Sequence, residues 1–237
     1  MASSFENAGG PDPGLGFDLP KLTRSTLNDE VYDTLKDALI QGKIAPGAVM
    51  TIRSLADSFG TSMMPVREAL RRLVAEHILV LLPNRSVTLP VLTKEKFQEI
   101  TLIRFSLEGL ASEEGARRIS PTEIAYMEEM TALMERKENW GAPESLTYNR
   151  EFHFTLYKAS KMPRLVAMIE GLWLQIGPLL NVPVTEIRGR QPTVWERHHA
   201  ALSALKANRP AKVKQAIIGD IDDAARTIAS RLASEII

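Results

Sequence analysis

The stretch from Ile52 to Leu89 leaves this chain few choices of local fold. It reads Ile52-Arg53-Ser54-Leu55-Ala56-Asp57-Ser58-Phe59-Gly60-Thr61-Ser62-Met63-Met64-Pro65-Val66-Arg67-Glu68-Ala69-Leu70-Arg71-Arg72-Leu73, followed by an apolar run broken at Pro83-Asn84-Arg85-Ser86. Leu55, Ala56 and Phe59 form one apolar helical stripe. Gly60 follows at once, where a chain reversal favours a residue that tolerates positive φ. Thr61 or Ser62 is placed to cap a second helix by accepting a hydrogen bond from a free backbone N–H. Pro65 is tolerated there because first-turn amides have no intrahelical partner to lose. Val66, Ala69, Leu70 and Leu73 make the buried face, which leaves Arg67, Arg71 and Arg72 free to meet phosphates or base edges. Strands over Ile78–Leu82 and Val87–Leu89 flank the turn at 83–86, with Arg85 at its tip. Helix, tight turn, helix, strand, turn and strand in this order predict a winged helix-turn-helix, which sets its second helix in the DNA major groove. The competing assignment is a winged-helix module that binds protein, which leaves the exposed arginines without a purpose.

These residues resemble the GntR family of bacterial regulators. Val66-Arg67-Glu68-Ala69-Leu70-Arg71-Arg72-Leu73 fits that family's recognition-helix pattern, and Ile44-Ala45-Pro46-Gly47 fits the turn after its first helix. The resemblance implies that Arg53, Ser62, Met64, Arg67 and the Asn84–Arg85 wing approach DNA, beside Arg71 on the same helix. The chain departs from the pattern at Met63, where the family usually has Arg, and at His77 and Ser86, where it usually has Gly. Loss of a base-reading Arg at Met63 bears on which operator is read and leaves DNA binding itself in place.

The 237 residues carry zero formal net charge, so the chain as a whole is no polycation. Any DNA affinity must come from a local patch. Between Arg53 and Pro90 five basic residues (Arg53, Arg67, Arg71, Arg72, Arg85) face three acidic ones (Asp57, Glu68, Glu76), a modest bias that dimerisation would double. The absence of Cys excludes disulfides and thiolate metal sites. No apolar run reaches membrane-spanning length and the N-terminus lacks a secretion-signal pattern, so a cytoplasmic protein without membrane contact is expected.

Residues 1–20, with Gly9-Gly10-Pro11-Asp12-Pro13-Gly14, have no periodicity and read as a disordered tail. A first helix is expected over Ser25–Gln41, and the winged module fills 21–90. Beyond Thr93 strand signals nearly vanish. Apolar residues recur at helical spacing over 94–118, 121–139, 144–160, 163–180, 191–207 and 210–235, with breaks that include Pro121, Pro143, Pro163, Pro183 and Pro210. The fold class is therefore mainly α: a winged helix-turn-helix and then an antiparallel all-α bundle of about six helices over 91–237.

Three helices of that bundle turn a potential metal ligand inward. His153 shares a face with Asn149, one turn earlier. His198 lies in the row Val194, His198, Ala201 or Leu202, Leu205, whereas His199 falls beside solvent. Asp220 lies in the row Val213, Ile217, Asp220, Ala224, Ile228. Buried polar groups need partners, and a cation held by imidazole and carboxylate supplies one. Residues 93–237 resemble the FCD effector domain of the FadR-type branch of GntR regulators. Many such domains hold a metal with an Asp, a His four residues later and two further His. His153 and His198 match. Asn149 stands where Asp is usual and Asp220 where the last His is usual, so a carboxylate is lost at one corner and gained at another. The implied cofactor is a divalent metal, zinc first, with nickel or manganese as alternatives. The competing arrangement is a metal-free pocket in which Asp220 hydrogen-bonds His153 or His198.

Arg104 and Glu108 have the Arg-x-x-x-Glu spacing common in FCD domains, with the Arg facing the ligand pocket. The resemblance makes Arg104 an effector-binding residue for a small carboxylate, which a guanidinium pairs bidentately. A surface ion pair is the alternative. Trp173, Trp195 and the methionines read as core packing. The combined expectation is a ligand-responsive regulator, a repressor by family custom and not an enzyme. It would work as a homodimer on an inverted-repeat operator. A metal-dependent hydrolase or lyase with an accessory winged module is the alternative from another class; a structural oligomerisation bundle is a third.

Overall fold

The computed structural model describes residues 27–136, 143–186 and 195–232. The expected tail at 1–20 lies outside them, as do the ends of several expected helices and Val194. Helix α1 (Leu27–Ile40) buries Val31, Tyr32, Leu35, Leu39 and Ile40. A two-residue strand β1 (Val49–Met50), absent from the sequence expectation, leads into α2 (Ile52–Phe59). A capping box starts α2: Thr51 Oγ1 accepts from the Ser54 amide and the Ser54 hydroxyl answers the Thr51 amide. Gly60 closes it at φ 63°, as the turn requires.

Helix α3 (Met63–Ala75) buries Pro65, Val66, Ala69, Leu70 and Leu73. Ser62 occupies the N-cap position but makes no capping bond, contrary to expectation. Pro65 removes one of the two amides such a cap can use: it holds the third helical position and has no N–H. The wing strands are shorter than expected, β2 (Val80–Leu81) and β3 (Val87–Thr88), because Ile78 and Leu79 are buried in the core before pairing begins. β3 lies between β1 and β2, antiparallel to both.

His77 ends the third helix with φ 59°, in the left-handed region. That region costs an ordinary L-residue about 1 kcal/mol and glycine almost nothing. The glycine usual in the family at this position thus has a backbone reason, and His77→Gly should raise stability by roughly 0.5–1 kcal/mol in denaturant melts. Unchanged or lower stability would show that the exposed imidazole repays its strain.

The remaining six helices are α4 (Lys94–Ala116), α5 (Pro121–Glu135), α6 (Pro143–Ala159), α7 (Pro163–Glu186), α8 (Glu196–Lys206) and α9 (Pro210–Leu232). Prolines open four of them at the first turn, where a missing N–H costs nothing. The break expected at Pro183 does not occur, and α7 continues to Glu186. A proline near a helix end forfeits only one backbone bond. α4 packs against α6, α7 and α9, with α5 on α6 and α8 on α9. The α4–α6 crossing is close enough that a Cβ on Gly115 would fall 2.1 Å from the Leu156 carbonyl oxygen. Two hydrophobic cores result, one in the winged module and one in the bundle. Leu174 of α7 is buried in the first of them, and Gly177 lets α7 approach the Leu39 carbonyl of α1. The two units are therefore packed through α1 and α7. Among the described residues no helix is long and apolar enough to cross a membrane.

Candidate functional site

The exposed side of α3 and the wing carry the first candidate site. Arg53, Ser62, Met64, Arg67, Arg71, Asn84 and Arg85 are all exposed. The side chains of Arg53, Arg67 and Arg85 have no hydrogen-bond or ion-pair partner among the described residues. Arg71 is partly engaged, its guanidinium 2.9 Å from Glu68. Asn84 shapes the wing turn, because its Oδ1 accepts from the Ser86 amide at 3.1 Å and the Ser86 hydroxyl at 2.5 Å. That clamp, with the Arg85 amide donating to the Leu82 carbonyl, holds Arg85 at the tip at φ 64°. Arg72 departs from expectation. Its guanidinium stacks 3.7 Å from the Tyr32 ring centre and donates to Glu76, so it braces α1 against α3. The sequence offered no means to separate it from Arg67 and Arg71, since all three lie off the apolar face.

The second candidate site is inside the bundle. α6 carries His153, α8 carries His198 and α9 carries Asp220, and their donor atoms all lie within 4.8 Å of one another. His153 Nε2 is 3.2 Å from Asp220 Oδ2 and 3.4 Å from His198 Nε2, and His198 Nε2 is 3.8 Å from Asp220 Oδ1. Both imidazoles are buried and Asp220 is half-buried. The row that holds His198 is inward as expected, with Ala201, Leu202 and Leu205 buried beside it. Asn149 sits one turn before His153, half-buried. His199 points out, 2.5 Å from Glu135.

Beside these three lies a polar network that the sequence did not reveal. Glu108, fully buried, accepts from Arg104 Nε at 2.5 Å on one oxygen. Its other oxygen accepts from the Tyr157 hydroxyl at 2.5 Å and Trp173 Nε1 at 3.1 Å. The Tyr157 oxygen in turn lies 3.1 Å from His153 Nδ1. Arg104 and Glu108 are thus a buried pair, and the surface-pair alternative is wrong. The one signal in the sequence was Tyr157, a turn beyond His153 on the same face.

Burial pushes the pKa of His198 down to about 4, against a smaller opposing pull from Asp220, so its imidazole is neutral near pH 7. Burial alone would raise the pKa of Asp220. The histidines and the Arg104 charge outweigh it and hold the carboxyl below the usual range. Two imidazoles and one carboxylate make a donor set that suits a borderline divalent cation such as zinc. His198 Nδ1 is buried without a hydrogen-bond partner among the described residues, so its ring is held by packing and by what its Nε2 meets.

A winged helix-turn-helix packed on a six-helix bundle with a polar interior defines a class, that of DNA-binding regulators with a helical second domain. Residues 27–89 match the family described as bacterial regulatory proteins, gntR family, and residues 99–223 match the FCD domain. The transcriptional regulator McbR of Escherichia coli (strain K12) is 34% identical over 197 residues, which cover 82% of this chain and 87% of that protein. The gluconate operon transcriptional repressor of Bacillus subtilis (strain 168) is 24% identical over 213 residues, covering 85% of each. The solved structure of E. coli McbR/YncC superposes with a TM-score of 0.81 at 30% identity, over 88% of this chain and 99% of that one. The chain belongs to the GntR family of bacterial transcriptional regulators, in the branch that carries an FCD domain.

Proposed function

We propose that this regulator is a ligand-responsive repressor whose bundle senses a small organic acid through a divalent cation. The meeting of His153, His198 and Asp220 in the bundle carries this reading. These three residues would hold the cation, with Asn149 as a weak fourth donor. A bound cation would supply a Lewis-acidic docking point for the effector's carboxylate. One carboxylate against a divalent charge leaves a net positive site, which favours an anion. Arg104 lies close enough to help hold the Asp220 carboxyl ionised, although its own charge is paired with Glu108.

Residues 21–90 form the DNA-binding unit in this proposal and 91–237 the effector-binding and dimerisation unit. Arg53, Arg67 and Arg85 hold phosphates or base edges, while Met63 and Met64 offer only apolar contact, which suits a thymine methyl. Leu102, Ile103 and Leu110, exposed on one arc of α4, support a homodimer face. Two recognition helices then require an inverted-repeat operator. Repression accords with the names of relatives such as the gluconate operon repressor, and a cytoplasmic location accords with a DNA target. A path between the units exists in Glu170 of α7. It joins Lys36 of α1 at 2.8 Å and Arg150 of α6, three residues before His153, at 3.0 Å. An effector that shifts α6 would therefore act on α1, and operator affinity would change by linkage.

Native mass spectrometry with metal analysis tests the reading. One divalent ion per chain is expected in the wild type and in His199→Ala, and none in His153→Ala or His198→Ala. Zinc at 100 times its dissociation constant should stabilise the wild type by about 2.7 kcal/mol. Thermal-shift screening of small carboxylates on the loaded protein should then find the effector class. A wild type that takes up no divalent ion at any pH where its histidines are neutral would sink the metal assignment. So would stoichiometric metal in the variant carrying both His153→Ala and His198→Ala.

A further inference from the structure

We infer that the cleft between the winged module and the bundle is a second binding site, built for an apolar molecule that carries one negative charge. None of His153, His198 and Asp220 lines it, so the site stands without the metal reading above. The cleft has a volume of about 710 Å³ and is walled by α1, α3, α4 and α7. That size is usual for small-molecule sites, which favour the junctions between domains. Its floor is apolar. Leu107 and Leu172 pack on the bundle core, and Leu174 on the core of the winged module. Ile103, 40% exposed, and Met168, 61% exposed, carry the apolar surface on toward solvent.

The charges of the lining set the sign of the occupant. They are the cations of Lys36, Arg72 and Arg164 and the carboxylates of Glu76 and Glu170. Lys36 meets Glu170 at 2.8 Å, and Arg72 meets Glu76 at 3.1 Å. Asp29 and Arg150 join these pairs from outside the lining, and their opposite charges cancel. Arg164 of α7 is left over, exposed and without a side-chain partner among the described residues. A guanidinium in that position can pair two oxygens of a carboxylate or sulfonate at once.

Gly171 of α7 is an observation independent of charge. It lines the cleft in mid-helix, where a glycine weakens the helix relative to alanine. The other helical glycines among the described residues are Gly109, Gly115, Gly177 and Gly219. Each has a neighbour 3.1 Å or less from where a Cβ would stand, so packing accounts for it. At Gly171 nothing lies within 4 Å, and what its missing side chain preserves is the open space of the cleft. Arg164, Met168, Gly171 and Gln175 follow one another at helical spacing and form one stripe of α7 along the cleft. Arg164 and Gly171 are two turns apart, about 10 Å along the axis. The occupant is therefore an apolar body laid over Gly171 with its anion at Arg164. It would touch both units, since Arg72 and Glu76 belong to α3, the helix that carries Arg67.

The test uses the full-length chain, stripped with a chelator so that no cation in the bundle can hold an anion. The probe is anilinonaphthalene sulfonate, an apolar monoanion, titrated by calorimetry. One molecule per chain is expected. Phenylnaphthylamine, the same body without the sulfonate, should bind about tenfold more weakly, the size of one charge-assisted contact. Arg164→Gln should weaken the anion by a similar factor and leave the amine unchanged. Gly171→Leu should abolish binding of both while the melting temperature holds or rises, because leucine is the better helix former. Should Gly171→Leu fail to fold, the contrast between anion and amine in Arg164→Gln decides alone. Uptake that does not saturate, or a site that both variants leave intact, would overturn the inference. Binding that Gly171→Leu keeps and His153→Ala with His198→Ala removes would place the anion in the bundle and overturn it too. Ile103 also lies on the α4 arc assigned to the homodimer face. A wild-type dimer that Gly171→Leu splits into monomers in sedimentation would therefore give the cleft to a second copy, against the inference. A wild type that binds the probe in this way and takes up no zinc loses the metal reading and keeps the cleft site.

Discussion

Glu108→Ala should destabilise the chain by about 3–5 kcal/mol, the usual cost of leaving one partner of a buried ion pair without the other. Arg104 is 4% exposed and its guanidinium has Glu108 as its charged partner at 2.5 Å. Removing the carboxylate also orphans the Tyr157 hydroxyl and Trp173 Nε1–H, each about 1–3 kcal/mol when buried without an acceptor. Replacing the pair together, Arg104→Met with Glu108→Leu, should recover part of the loss, because buried pairs are often worth little against apolar residues of similar volume. Recovery should stay partial, since the two orphaned donors remain. Urea melts followed by circular dichroism measure all three proteins. A single-variant loss below about 1 kcal/mol, far under the cost of a buried unpaired charge, would mean that water reaches Arg104 and that the pair is not sealed from solvent.

This network marks where sequence reasoning stops. An Arg and a Glu four residues apart on a helix are compatible with a solvated pair or a buried one. Only the packing of α6 and α7 over α4 decides it, by bringing Tyr157 and Trp173 to Glu108 across 49 and 65 residues of chain. The helices themselves were readable because apolar spacing is local, and proline and glycine mark their ends. The convergence of His153, His198 and Asp220 was readable for the same reason. Each lies in an inward row, and inward rows of a bundle must meet. What periodicity could not supply was distance within the core, or the short strand β1, whose two residues carry no period at all.

The arginines of the winged module should divide into two sets by experiment. Arg53, Arg67 and Arg85 are exposed and have no side-chain partner among the described residues, so the fold does not depend on them. Replacing all three by Ala should leave thermal stability almost unchanged. It should weaken operator binding at least about 100-fold, since each direct contact is worth roughly 1–3 kcal/mol. The dependence of log affinity on log salt should flatten by about 0.9 for each phosphate contact removed. Arg72→Ala should do the opposite. It loses the stack on Tyr32 and the bond to Glu76 and so should cost about 1 kcal/mol of stability. Operator affinity and salt slope should hold, because its guanidinium is engaged by Tyr32 and Glu76 in bracing α1. The contrast separates a DNA contact from a folding contact in one pair of measurements. If the triple variant binds operator with wild-type affinity and slope, the recognition surface lies elsewhere on the module. If Arg72→Ala binds weakly while folding normally, the brace assigned to it is instead part of the interface.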